Sequence, residues 1–142
     1  MARTQLTVQF GTIQDVPEAT ITYAGDGESG IVITLEFLGA ATGIRINNTT
    51  RGEYMILNDS KIAAIVGSNI DAYDSIRIDT TRGSKSATLS RNGTVYNILH
   101  AVDLSSKWIY LQTGANHFTY TSSTGFENVI LKLQCPVKVL GV

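Results

Sequence analysis

Hydrophobic and polar residues alternate along most of this chain with a period of two. Ile31, Ile33, Leu35 and Phe37 fall on one side of a run, and Val32, Thr34, Glu36 and Leu38 fall on the other. Near the C-terminus, Val129, Leu131, Leu133 and Cys135 line one side, opposite Asn128, Ile130, Lys132 and Gln134. Shorter runs at 6–10, 19–23, 43–47, 53–57, 76–80, 87–91, 108–112 and 118–121 read the same way. Successive side chains of a strand point to opposite faces, so this period predicts half-buried strands. Ile, Val, Thr and Tyr are abundant in the runs. β-branched and aromatic side chains fit a pleated surface and lose χ1 freedom in a helix. The best helix candidate, residues 61–66, is short and lacks a second apolar stripe, so it too is predicted to be a strand.

Turn chemistry separates the runs. Asn92-Gly93 tolerates the two positive φ angles of a type I′ turn, whose twist matches a hairpin. A hairpin about this pair sets Leu89 opposite Tyr96. Glycine-rich or polar stretches at 25–30, 81–84, 114–116 and 122–125 predict further connections. Roughly ten to thirteen short strands with regular turns and no helical layer predict an all-β fold, two packed antiparallel sheets in a jelly-roll or related β-sandwich. No repeat or low-complexity tract interrupts them. Pro17 marks a boundary between an N-terminal edge or arm strand, residues 1–18, and the sandwich proper, residues 19–142.

Composition narrows the function classes. The 142 residues are enough for one domain with its own core, so neither disulfides nor a metal is needed to hold it. Cys135 is the single cysteine, which excludes an intrachain disulfide, and its place on an apolar face predicts a small buried hydrophobe. With 11 Lys and Arg against 12 Asp and Glu, the chain lacks the basic surplus of a nucleic-acid binder. Charged residues are only 16%, against about 25% in ordinary domains. No apolar run is long enough to span a membrane. Residues 1–5 do not open an apolar stretch of the secretory type.

Candidate chemistry is sparse. His100 and His117 stand in no metal-ligand spacing, and both read as surface residues near or within strands. Asp71, Asp74 and Asp79 lack calcium-loop spacing and read as surface acids. No nucleophile elbow or phosphate loop occurs, and Ser29 has no assigned base. No catalytic, cofactor-binding or metal-binding residue is therefore predicted, and no cofactor. Asn48, Asn58 and Asn92 open glycosylation triplets of the kind polar turns produce by chance. Sugar binding is the one ligand class that residue types keep open. Trp108, Tyr110 and Tyr120 could supply rings, with Trp108 either a packing anchor or a binding platform. A hydrolase would need paired acids, or a histidine beside a nucleophile, brought together by the fold.

A series of short motifs is more specific than any one of them. It runs from Ile44-Arg45-Ile46-Asn47-Asn48-Thr49-Thr50-Arg51-Gly52-Glu53 through Asp74-Ser75-Ile76-Arg77-Ile78-Asp79-Thr80 and Gly83-Ser84-Lys85-Ser86-Ala87-Thr88-Leu89. Arg91-Asn92-Gly93-Thr94, Asn97-Ile98-Leu99 and Ser106-Lys107-Trp108-Ile109-Tyr110-Leu111 follow. Gly114-Ala115-Asn116-His117-Phe118-Thr119-Tyr120 and Leu140-Gly141-Val142 complete it. In this order the series, from about residue 19 onward, resembles the C-terminal half of the distal tail protein of long-tailed siphophages, in particular those infecting Gram-positive bacteria.

The resemblance implies a galectin-like β-sandwich in the virion tail tip, made in the bacterial host cytoplasm. Such a domain projects from a hexameric ring and serves as a docking surface for other baseplate proteins, among them the tail tube and the receptor-binding protein. In some family members the domain or an inserted module is thought to bind host cell-wall saccharide. The family offers no catalytic residues to carry over, so no enzymatic activity is expected. The ring-forming N-terminal region has no counterpart here, and residues 6–10 resemble the last strand before the C-terminal domain. A hexamer is accordingly expected of the full-length family protein and a monomer or weak oligomer of this chain, with no nucleic-acid or membrane partner.

Overall fold

The structure is a computed structural model that describes residues 3–11, 18–23, 29–103 and 105–138, with side chains described from Thr20 to Gln134 within those spans. Ten strands occur among the described residues: β1 (Arg3–Gly11), β2 (Glu18–Tyr23), β3 (Val32–Phe37), β4 (Arg45–Asn48), β5 (Glu53–Ile56), β6 (Ser75–Asp79), β7 (Ser86–Arg91), β8 (Thr94–Asn97), β9 (Gly114–Thr121) and β10 (Val129–Lys138). One sheet has six strands in the order β1-β10-β3-β6-β7-β8, and the other has four in the order β2-β9-β4-β5. Every pairing is antiparallel. The fold is an antiparallel β-sandwich, as the alternation predicts.

The apolar face of each run turns inward. Ile33, Leu35 and Phe37 of β3 meet Leu133, Leu131 and Val129 of β10 across the ladder, and all six are buried. Ile76 and Ile78 of β6 and Ala87 and Leu89 of β7 extend the layer. From the opposing sheet, Ile21, Ile46, Met55, Phe118 and Tyr120 close on it. Hydrophobic side chains from two sheet faces removed from water in this way form a single core. The β7–β8 hairpin is the one expected. Asn92 and Gly93 have φ of 51° and 79°, and Leu89 pairs with Tyr96.

Two segments differ from the strand reading. Residues 61–66 belong to a helix, α1 (Asp59–Val66). Its ends are capped: the Asn58 side chain accepts the Lys61 N–H, and Gly67, at φ 107°, donates its N–H to the Ala63 carbonyl. Caps at both ends satisfy backbone groups that a one-stripe apolar pattern leaves open. Only Ile62 is fully buried, which is why the apolar period is so weak. Residues 108–112 are extended but belong to neither sheet, touching the fold through an isolated bridge between Leu111 and Ser29.

Opposite ends of the six-stranded sheet are built differently. At the Asp74 end, the Arg91 Nε donates to Asp74 Oδ1 at 2.9 Å and its Nη2 to Oδ2 at 2.6 Å. The same guanidinium reaches Ser68 Oγ and the Asn69 carbonyl, and Asp74 also accepts the Asp71 N–H. Asp74 is therefore not the surface acid its sequence context suggests, being 3% exposed and the centre of a clamp on the α1–β6 connection. The other end carries the β6–β7 turn and a 3-10 turn at Leu99–Ala101.

Candidate functional site

The segment after the Leu99–Ala101 turn carries the candidate site. Ile109 and Leu111 are fully buried, while Trp108 and Tyr110, which alternate with them, are partly exposed. This is strand-like alternation without a ladder, and other groups take the ladder's place. The Lys107 N–H donates to the Tyr54 carbonyl, and Ser106 Oγ accepts the Ile56 N–H. Leu111 exchanges both backbone bonds with Ser29, at 2.7 and 3.0 Å.

Two buried asparagines complete the fastening. Asn48 Nδ2 donates to the Tyr110 carbonyl at 3.2 Å. Asn116 donates to the Gln112 carbonyl and accepts the Gln112 N–H, at 2.8 and 3.0 Å. Both side chains are 0% exposed. Buried polar side chains must be satisfied, so each holds a backbone group that would otherwise be orphaned in the core. Because Asn48 is buried and engaged, its glycosylation triplet is closed in the folded chain.

Residues 106–112 form a strap that therefore displays Trp108 and Tyr110 from a fixed backbone. Trp108 packs partly on the core and also lines a depression of about 460 Å³, together with Lys61, Lys85, His100, Asp103 and Ser106 and the apolar Leu99 and Val102. Lys85 Nζ lies 5.6 Å from the Trp108 ring centre and 5.9 Å from that of Tyr110, and Arg82 stands 5.4 Å from the Tyr110 ring. Cations over aromatic faces at these distances are attracted by the ring quadrupole. Asp103 accepts the Ser105 N–H and hydroxyl, and these bonds, with the Lys61 charge adding to them, hold its carboxyl below the ordinary carboxylate value.

The sequence candidates thus separate. Trp108 and His100 line one depression, although no pattern in the sequence links 100 to 108, and Tyr110 stands beside it, near the same Lys85 ammonium. Tyr120 does not join them: it is in the core, stacked on Phe126 at 4.6 Å, with its hydroxyl donating to the carbonyls of Phe126 and Val129. Its phase was legible, since Phe118 and Tyr120 share one strand face and His117 and Thr119 the other. His117 lies on the outer face of β9, with Nδ1 3.0 Å from Thr20 Oγ1. Asp71 is exposed on the α1–β6 connection, and Asp79 is partly exposed at the end of β6, where its Oδ1 accepts the Thr81 N–H. Asn58 caps α1, and Asn92 is exposed in the hairpin turn. Ser29 donates its hydroxyl to the Gly30 carbonyl. The Cys135 side chain, residues 12–17 and residues 139–142 lie outside the described residues, while the Cys135 backbone pairs with Leu6.

Lys85, Lys61, Asn116 and Asp103 were not candidates in the sequence, and Asn48 stood only as the start of a glycosylation triplet. A lysine on a helix or beside a turn and asparagines in strands carry no local signal until the fold brings them to one place. Among the described residues no three His, Cys, Asp or Glu side chains converge as a metal site. No helix among them is long and apolar enough to cross a membrane.

The fold and the fastened segment that it carries are those of an all-β sandwich domain. The sequence model of the siphovirus-type tail component, C-terminal domain, matches residues 24–132, and the chain belongs to this family. It is thus a component of the virion tail, with a structural role there. No curated protein matches the sequence. Among solved structures, the chain is similar to one in the phage P2 baseplate in its activated conformation with Ca, at 11% identity over 84% of this chain and 36% of that one, with a TM-score of 0.45. It is also similar to a xylan β-1,4-xylosidase from Bacillus halodurans, at 9% identity over 93% and 33% with a TM-score of 0.35. A functionally unknown protein from Saccharomyces cerevisiae matches at 9% identity over 98% and 97%, with a TM-score of 0.33. The chain spans about a third of the length of the first two. Likenesses this slight carry no argument about activity.

Proposed function

We propose that this chain is the C-terminal, galectin-like domain of a distal tail protein and that it acts without catalysis, as a docking surface at the tail tip. In this reading residues 1–18 are the N-terminal arm, whose strand β1 edges the six-stranded sheet, and residues 19–142 form the rest of the docking sandwich. The partners are other baseplate proteins, such as the tail tube and the receptor-binding protein, and the isolated chain is a monomer or weak oligomer. The family match over residues 24–132 carries the reading. A surface feature supports it. Tyr73 is 89% exposed with φ 68°, a conformation rare for a bulky residue, and the Arg91–Asp74 clamp holds its loop. Its N–H donates to the Phe37 carbonyl, so it stands at the same end of β3 as Leu38, itself 53% exposed. A rigid, displayed aromatic beside an aliphatic side chain is suited to anchor a protein interface. Pull-down with each purified tail-tip protein of the same virion tests this. At least one stable complex is expected, and failure of every pair to associate would overturn it.

A second reading, recognition of host cell-wall saccharide, is favoured by a different observation: the depression beside Trp108. Titration with fragments of the host wall tests it. Saturable binding supports it, and no binding at millimolar sugar opposes it.

A further inference from the structure

The depression has a charge pattern that saccharide binding in general does not require. Lys85 has two aromatic rings around its ammonium and no carboxylate partner among the described residues. Lys61 adds a second cation, while Asp103 is the one acid in the lining. A lysine ordinarily sits in open solvent or against a carboxylate. Here Lys85 is instead placed over the ring that lines the cavity. The strap beneath is fastened by Asn48 and Asn116, so Trp108 is held in position before any ligand arrives. At about 460 Å³ the cavity falls within the roughly 300–1,000 Å³ usual for small-ligand sites.

Resting on the saccharide reading above, we propose that this depression binds a sugar unit carrying an anionic substituent, a phosphate or a carboxylate. The C–H face of the sugar ring lies on Trp108. Lys85 pairs with the anion, and Lys61 adds to the attraction. Asp103 accepts sugar hydroxyls, and Ser106 and His100 offer further polar contacts. No bond is made or broken.

Trp108 is the single tryptophan, so its fluorescence reports this site alone. The full chain is titrated with glucose, glucose 6-phosphate and glucuronate, with the galactose and N-acetylglucosamine counterparts, and with inorganic phosphate. At least one sugar phosphate or uronate is expected to change the emission saturably and to bind about fivefold or more tighter than its neutral parent, the size expected of one charge-assisted contact. The phosphate and uronate arms separate the two sources of charge. Lys85→Met should erase that preference, added salt should weaken it, and Lys132→Met, which breaks only the β10–β3 pair with Glu36, should leave it unchanged. Equal binding of neutral and anionic sugars, or an unchanged preference in Lys85→Met, overturns this proposal and leaves the saccharide reading standing. Inorganic phosphate binding as tightly as the sugar phosphates also overturns it, since the site then reads charge alone. Saturation by none of the probes opposes both.

Discussion

Replacing Asp74 by alanine removes the acceptor at the centre of the clamp. Its carboxylate side chain is 2% exposed and receives two bonds from Arg91, whose own side chain is 19% exposed. Breaking a buried ion pair by deleting one partner costs about 3–5 kcal/mol, because the other charge is left uncompensated. Arg91 keeps some access to water and its bonds to Ser68 and Asn69, which puts Asp74→Ala near the low end, about 3 kcal/mol. At about 3–4 °C per kcal/mol for a domain of this size, the melting temperature should fall by about 10 °C. Urea denaturation followed by circular dichroism gives the free energy, and the m-value should not change. Asp74→Ala, Arg91→Met and the double variant form a cycle whose coupling should exceed about 1 kcal/mol.

Acid gives a second readout of the same pair. Burial pushes the Asp74 carboxyl up, but the Arg91 hydrogen bonds, the Asp71 N–H and the Arg91 charge together outweigh it and hold the group below its ordinary 3.8. A carboxylate depressed on folding adds stability that is present above its unfolded value and is lost as pH falls through the folded one. The advantage of the native chain over Asp74→Asn should therefore be constant near neutrality and shrink below about pH 4. A cost under about 0.5 kcal/mol for Asp74→Ala, the range of ordinary surface substitutions, would refute the clamp as a fastening of this end of the sandwich.

Other perturbations separate causes that look alike. Gly93→Ala should cost about 1 kcal/mol from its φ of 79° alone, because a Cβ there meets nothing within 4 Å. Gly125→Ala should cost more than twice as much in the same thermal melt, since its Cβ would fall 2.0 Å from the Ala40 carbonyl oxygen. Asn116→Ala should destabilise the chain by about 2–3 kcal/mol and red-shift Trp108 emission, as unpaired backbone at Gln112 loosens the strap; an unchanged emission maximum would show that the strap is held without it. Tyr73→Ser should leave the melting temperature within about 2 °C yet weaken docking tenfold or more in the pull-down, and equal affinity would remove Tyr73 from the interface.

Much of the sandwich was legible because one physical rule, inward and outward alternation, governs both sheets. The Asn92-Gly93 turn fixed one register to the residue, since few other pairs adopt two positive φ angles. The failures share a cause: alternation reports an extended backbone with one buried face but not what its amides bond to. Residues 108–112 alternate like a strand, and only the fold shows that Asn48, Asn116 and Ser29 serve where a neighbouring strand would. Residues 61–66 erred the other way. Their end signals, Asn58 and Gly67, were present, but a helix burying one residue fully leaves little apolar periodicity. The candidate site was half legible. Trp108 and Tyr110 stand two apart on one extended face, which the sequence shows. Lys85 and His100 reach them through the β6–β7 turn and the 3-10 turn, and long-range proximity of that kind leaves no local mark.

A tail-tip docking element is covered by a neighbouring protein in the assembled virion. Reconstruction of the intact virion tail tip by cryo-electron microscopy tests that directly. The sandwich is predicted to sit at the tip with Tyr73 and Leu38 covered by another tail protein. A tail tip without this sandwich, or one in which the Tyr73 end faces open solvent in every copy and no other surface of the domain is covered, would contradict it.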